Sequence, residues 1–175
     1  LHRRDESPLE ITWSQCGLHN VENALAAMSA ARHVGVDPSV AVAALKEFGG
    51  VKRRLELLGT LRDIAVYDDF AHHPTAIATT LEGLRRRVDD QRILAVLEPR
   101  SNTMRLGVHN MELARSLAAA DLVYVFAPPD LGWDVAPVFT PLGERAVVLD
   151  RVENMVERIT AEARAGDHVL IMSNG

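Results

Sequence analysis

Only one cysteine, Cys16, stands in the 175 residues, which excludes an internal disulfide and a thiolate zinc site. No apolar run approaches the roughly 18 residues of a membrane span, and no stretch reads as a signal peptide. Cytoplasm is the expected location, without a membrane partner. Positive charge is also in short supply. There are 19 Lys and Arg against 24 Asp and Glu, for a net charge of −5, and the arginines are scattered, which argues against a nucleic-acid groove. Two phosphate-binding patterns, Gly-x-x-x-x-Gly-Lys-Ser/Thr and Gly-x-Gly-x-x-Gly, are missing, so nothing in this chain alone cradles a triphosphate.

What is present supports a globular fold. A hydrophobic content of 47% is enough for a packed core and argues against disorder. The start at Leu1 and the end on Ser173-Asn174-Gly175, just after a strand-like run, read as cuts in a longer protein. Ile11-Thr12-Trp13 reads as a short strand. Asn20 then reads as a helix N-cap before Val21, Ala24, Leu25, Met28 and Ala31, which follow helical spacing. Asp37-Pro38 starts a second helix with Ala41, Ala44, Leu45 and Phe48 on its apolar face. Gly49-Gly50 ends the pair.

Beyond the glycines the texture changes to alternating strands and helices. Arg54–Leu61 and Ile64–Asp68 read as a hairpin turning at Arg62-Asp63, a weaker turn former than Asn-Gly. The 75–88 helix places Ile77, Leu81, Leu84 and Val88 on one side. Ile93–Leu97 is a continuous apolar run, as in a parallel strand covered on both faces. A helix over 110–119 turns Met111, Ala114, Leu117 and Ala118 inward, and Leu122–Phe126 is a further buried strand. Residues 131–144, rich in Pro and Gly, read as an irregular binding loop. Ala146–Leu149 is a strand, Asp150 a cap for a helix with core positions Val152, Met155, Val156, Ile159 and Ala163, and His168–Met172 the last strand. The alternation predicts an α/β fold, a Rossmann-like doubly wound and mostly parallel sheet over 51–175, preceded by a helical segment over 1–50 from the end of another domain.

In such sheets ligands meet the loops beyond the carboxyl ends of the strands. Asp68-Asp69-Phe70-Ala71-His72-His73-Pro74 is the most chemically loaded of these loops. Carboxylates and imidazoles titrate, ligate metals and hydrogen-bond sugars; a solvated loop with an Asp capping the following helix is the plainer alternative. Adjacent histidines on one loop rarely share an ion, and no His–Glu pair at helical spacing completes a metal set. Glu98-Pro99-Arg100-Ser101-Asn102-Thr103-Met104 offers a planar guanidinium for a carboxylate with short-range hydrogen bonds beside it, or a turn with a surface ion pair. Asn20 and Asn23 share a helix face, and an amide there can read a purine edge. Lys52-Arg53-Arg54 is a basic cluster within reach of an anion.

Taken together, these motifs carry a resemblance. Gly17–Ala27 with its two asparagines, then Lys52-Arg53-Arg54, then Asp68–Thr75 follow the order seen in the Mur ligases, ATP-dependent amide-forming enzymes of peptidoglycan synthesis. The Asp-Asp-aromatic-small-His-His-Pro-Thr form resembles the branch acting on UDP-N-acetylmuramate. Glu98–Met104 with the Ser-Asn-Gly ending is similar to its peptidoglycan-recycling member, which takes the tripeptide L-alanyl-γ-D-glutamyl-meso-diaminopimelate. Cell-wall biogenesis, and through it cell shape and division, is the implied setting. The resemblance makes residues 1–50 the tail of a central ATP-binding domain and 51–175 a C-terminal Rossmann-like domain. It implies Asn20 and Asn23 at the adenine, Arg54 at the ATP phosphates, Asp69 on the ribose hydroxyls and His72 and His73 lining the nucleotide cleft. Arg100, Ser101, Asn102 and Asn174 would face the peptide. ATP and Mg2+ are the implied cofactors, with the phosphate loop, carbamylated lysine and metal ligands expected in an earlier part of the protein. These 175 residues alone are therefore expected to fold without ligating. The alternatives are the L-alanine-adding enzyme of the same branch, a non-catalytic Rossmann-like binding module, and a His/Asp metalloprotein.

Overall fold

The computed structural model describes residues 8–13, 15, 17–99, 110–129, 131 and 133–173. The chain divides into two compact units, Leu1–Val51 and Lys52–Gly175. In the first, α1 (Leu18–His33) and α2 (Pro38–Glu47) bury Ala24, Met28 and Val42. Helix α1 starts three residues earlier than predicted. Gly17, at φ 89°, is its cap, and the Gly17 carbonyl accepts from Asn20 N at 3.1 Å, so Asn20 sits inside the first turn. Helix α2 begins as expected, with Asp37 Oδ1 accepting from Ser39 N at 2.8 Å and Pro38 in the first position. Leu25 and Phe48, expected to face inward, are exposed, and Ile11-Thr12-Trp13 forms no strand.

The second unit is a six-stranded sheet in the order β1-β2-β6-β3-β4-β5. The strands are β1 (Glu56–Leu61), β2 (Ile64–Asp69), β3 (Ile93–Leu97), β4 (Leu122–Phe126), β5 (Ala146–Leu149) and β6 (His168–Met172). Only the edge pair β1–β2 is antiparallel. Its turn is tight because Arg62 and Asp63 both take left-handed φ values, 53° and 62°, matching the right-handed strand twist that two-residue hairpins require. The predicted strand at Arg54 starts later, at Glu56, since Arg53 and Leu55 are also left-handed.

Side chains alternate across the sheet and divide the core in two. Ile93, Ala95 and Leu97 of β3, with Val123 and Val125 of β4, face α3 (Pro74–Val88) and α4 (Asn110–Ser116). There Ile77, Leu81, Leu84 and Val88 are buried, as their spacing predicted. Leu113 takes an inward place that the sequence reading assigned to Ala118, which is exposed. Leu94, Val96, Tyr124 and Val169 face the other way, toward Met155 of α6 (Val152–Glu162). That helix is capped at Arg151 without a side-chain bond, not by Asp150, and its Val152 and Val156 are more than half exposed. The supposed irregular loop is largely ordered: α5 (Ala136–Phe139) runs into a 3-10 turn over Thr140–Arg145, with Val135, Phe139 and Leu142 buried.

Polar ties close the amino edge of the sheet. Asp167, only 3% exposed, accepts from Arg92 Nε at 2.9 Å and Arg92 Nη2 at 2.6 Å, and from Arg164 N at 2.7 Å. His168 stacks on Tyr67 at 5.9 Å between ring centres and bonds Gln91 Oε1 through Nε2 at 2.8 Å. Burial, reinforced by the charge of Arg87, holds its imidazole below the ordinary 6.5. A depressed folded value means that the unfolded chain takes the proton first. The stabilisation is therefore full above about pH 6.5 and declines as pH falls through and below it. His168→Gln is expected to flatten this part of the stability–pH curve, as measured by urea midpoints between pH 7.5 and 5.

Candidate functional site at the carboxyl edge

The five parallel strands end at one edge, and β6 fills the gap between β2 and β3. The chain leaves β2, skips a position to β3, moves outward and returns, so the strand order reverses here, where open α/β sheets bind ligands. Ser173 emerges from β6 between the two flanking strands. Its N–H reaches Asp69 O at 3.2 Å, its hydroxyl donates to Glu98 Oε2, and Glu98 N bonds Met172 O at 3.0 Å.

The turn before β1 completes this edge. Arg53 and Leu55 have φ of 58° and 49°, a conformation costing a non-glycine residue about 1–3 kcal/mol and kept only where its surroundings enforce it. Here Arg53 N donates to Glu56 Oε2 at 2.7 Å, Arg53 O accepts from Phe70 N at 2.8 Å, and Leu55 N donates to Asp69 Oδ2 at 2.7 Å. The Arg53 side chain is tied down through Nε to Asp68 Oδ2 at 3.1 Å and through Nη2 to Ser173 O at 2.5 Å. Arg54 is exposed, its guanidinium carbon 5.9 Å from the Phe70 ring centre. Among the described residues, no carboxylate forms an ion pair with it. Of the two adjacent arginines, Arg54 is the exposed one, while Arg53 lies nearer the same ring, at 5.1 Å.

Asp69 is 2% exposed. Besides Leu55 N, it accepts from Ala71 N at 2.7 Å and Thr80 Oγ1 at 3.4 Å, both on Oδ1. Burial pushes its carboxyl above the ordinary range, against the pull of the Leu55 and Ala71 amides and of Arg54. The histidines have opposite duties. His72 Nδ1 faces Phe70 O at 2.8 Å and so carries its proton there, while His73 Nδ1 accepts from Thr75 N at 3.3 Å and caps α3. The helix cap is thus His73 and neither aspartate, with Pro74 at the first helical position. Among the described residues no three His, Cys, Asp or Glu side chains converge as a metal site, and no helix is long and apolar enough to cross a membrane.

The structure brings Arg54, Asp69, His72 and His73 together at one edge. Asn20 and Asn23 lie on α1 of the first unit, half-buried and exposed respectively. Arg100, Ser101, Asn102 and Asn174 fall outside the described residues. Beyond β4, Ala127, Pro128, Pro129, Trp133 and Val135 help to wall a groove of about 420 Å³. The sequence reading missed the anchoring roles of Arg53, Leu55 and Thr80.

The family model described as Mur ligase, glutamate ligase domain, matches residues 53–175. The UDP-N-acetylmuramate–L-alanyl-γ-D-glutamyl-meso-2,6-diaminoheptandioate ligase of Haemophilus influenzae is 47% identical over 171 residues, covering 97% of this chain and 38% of that protein. A UDP-N-acetylmuramate–L-alanine ligase from a Mycobacterium species is 34% identical over 180 residues, covering 98% of this chain and 37% of that protein. The crystal structure of a murein peptide ligase from Psychrobacter arcticus superposes with a TM-score of 0.72 at 46% identity, covering 94% of this chain and 36% of that one. The chain spans little more than a third of the length of these relatives. With a matching sheet, a matching family model and this level of identity, the chain belongs to the Mur ligase family.

Proposed function

We propose that this chain is part of an ATP-dependent ligase that joins the tripeptide L-alanyl-γ-D-glutamyl-meso-diaminopimelate to UDP-N-acetylmuramate in peptidoglycan recycling, in the cytoplasm. The observation that carries this reading is the greater likeness to the tripeptide ligase than to the L-alanine ligase, at nearly equal coverage of the chain. ATP phosphorylates the lactyl carboxylate of UDP-N-acetylmuramate to an acyl phosphate. The alanine amine of the tripeptide attacks the acyl carbon, and phosphate leaves from the tetrahedral intermediate. Catalysis of this kind rests on positioning and charge neutralisation.

In this reading residues 1–50 are the tail of the central ATP-binding domain and 51–175 the C-terminal domain. Arg54, exposed beside the Phe70 ring, is assigned to the ATP phosphates, with Asp69, His72 and His73 on the nucleotide side. Asn20 and Asn23 are assigned to the adenine. Arg100, Ser101 and Asn102, with Asn174, are assigned to the peptide acceptor. Magnesium belongs to the proposed chemistry, and among the described residues no three His, Cys, Asp or Glu side chains gather to hold it.

Acceptor specificity of the full-length enzyme tests the proposal. Tripeptide is expected to serve as acceptor and free L-alanine is not; the reverse result would assign the protein to the alanine-adding branch. Arg100→Ala is expected to raise the KM for tripeptide at least tenfold while leaving the KM for ATP within about twofold, the signature of lost acceptor binding.

A further inference from the structure

We propose that the open edge of β1 is a docking surface for a second copy of this chain, the two β1 strands pairing antiparallel about a two-fold axis at Gly59. The interface goes beyond the ligase reading and does not depend on it.

The outer strand of the sheet is β1, and its Leu57, Leu58 and Leu61 are 49%, 59% and 74% exposed. Edge strands that stay in water are blunted by lysine, proline or inward-pointing charge, and Glu56–Leu61 holds neither lysine nor proline. Its hydrogen-bonding edge is also open. The Arg62-Asp63 turn closes on the pair Leu61 and Ile64, and Ala65, one step on, gives its N–H to Asp167 O at 3.0 Å on the β6 side. Thr60 stands opposite Ala65 and therefore turns its own N–H and C=O outward. Gly59, opposite Val66, is then bonded toward β2. Toward a further strand it offers the non-hydrogen-bonded position, where paired Cα atoms approach to about 4.5 Å.

A glycine at that position has no purpose within its own chain. Its φ is not left-handed, so the bulge between Leu57 and Gly59 does not call for it, and a Cβ there would meet nothing within 4 Å. Glycine inside a strand otherwise marks the close approach of another backbone. The charges choose which backbone. Glu56 lies three residues before Gly59, and the exposed Arg62 lies three after. Antiparallel pairing about Gly59 sets Glu56 opposite the partner's Arg62, Leu57 opposite the partner's Leu61, and Leu58 opposite the partner's Thr60. In-register parallel pairing would instead oppose like charges, which is destabilising. The antiparallel contact is isologous and closes as a dimer.

Sedimentation velocity of the full-length protein over a concentration series tests the inference. The wild type is expected to pass from monomer to dimer as concentration rises. Arg62→Glu and Glu56→Arg should each weaken self-association at least about tenfold, because two matched charge pairs become two like-charge pairs. An equimolar mixture of the two variants should recover the dimer, since each Arg62→Glu chain then meets a Glu56→Arg chain with both pairs matched. Self-association of either variant at wild-type strength, or a mixture of folded variants that stays monomeric, overturns the inference.

Thr60→Pro probes the same edge without touching a charge, should Glu56→Arg prove too unstable to purify. Proline removes an N–H that β2 does not use, and an edge strand tolerates it there. Far-ultraviolet circular dichroism of the dilute protein should therefore be unchanged while the dimer is lost. A Thr60→Pro protein that dimerises like the wild type overturns the inference. So does a wild type that is monomeric at every concentration, the result expected if another part of the full-length protein covers β1.

Discussion

Replacing Arg92 with alanine is expected to lower the free energy of unfolding by about 3–5 kcal/mol, the largest loss at any charged position described. The reason lies in Asp167, whose side chain is 4% exposed and which receives two of its hydrogen bonds from the Arg92 guanidinium. Removing the cation leaves a buried carboxylate with only Arg164 N for compensation. Burial by itself would raise the Asp167 carboxyl, but the Arg92 bonds, with the Arg164 amide, bring it below the ordinary carboxylate range. A lowered folded value contributes stability above the unfolded value, near pH 4, and that contribution is lost as pH falls through the folded one. Arg92→Ala should therefore also flatten the acid limb of the stability–pH curve. Urea midpoints at pH 7 and across pH 5 to 2.5 measure both effects, and Arg92→Leu combined with Asp167→Leu should recover most of the loss, because no unpaired charge remains.

Phe139→Ala should cost a comparable amount, about 3–5 kcal/mol, although its neighbourhood reads as a loop. The ring is 2% exposed, in the same core as Leu131, Val135 and Leu142. Its removal leaves a cavity under the segment that walls the groove beyond β4. Near-ultraviolet circular dichroism and urea unfolding would report the change. A loss below about 1 kcal/mol would mean that the segment closes over the gap at little cost, as a loop would.

These two positions mark the limits of what the sequence made legible. Where a helix lies flat on the sheet, apolar spacing was sufficient: Ile77, Leu81, Leu84 and Val88 of α3 are all buried. The unbroken run of β3 likewise announced a strand covered on both faces. In α6 the same rule chose too many residues, since Met155 alone is fully buried while Val152 and Val156 look outward. Spacing identifies an apolar stripe, but the width of the stripe that meets the sheet depends on where the helix is set down. Between 131 and 145, proline and glycine concealed a regular pattern, for Leu131, Val135, Phe139 and Leu142 recur at intervals of four and three.

The site divides along similar lines. The chemistry of Asp68–Pro74 was legible because its residue types are concentrated in one loop. The assignment of work within the loop was not. His73 rather than an aspartate caps α3, and Asp69 spends its oxygens on the Leu55 amide of the turn before β1 and on the Ala71 amide of its own loop. Arg53 finds Ser173 across 120 positions and Arg92 finds Asp167 across 75. No local pattern encodes such pairings, because they exist only once the sheet brings the partners together.

The position of β6 also has a consequence in time. It is the last of the six strands to be synthesised, yet it lies third in the sheet, with β1 and β2 on one side and β3, β4 and β5 on the other. During translation the earlier strands can form a hairpin and a three-stranded ribbon, but no strand pairing joins these pieces until His168–Met172 has left the ribosome. Both edges of the gap remain open meanwhile, and the Asp68–Pro74 loop has neither the Ser173 N–H nor the Ser173 carbonyl that later ties Arg53 across it. Pairings this distant in sequence make assembly slow and leave unpaired strand edges exposed to other chains while it lasts. The arrangement that gathers the candidate loops at one edge therefore also makes the nascent chain wait longest for that edge.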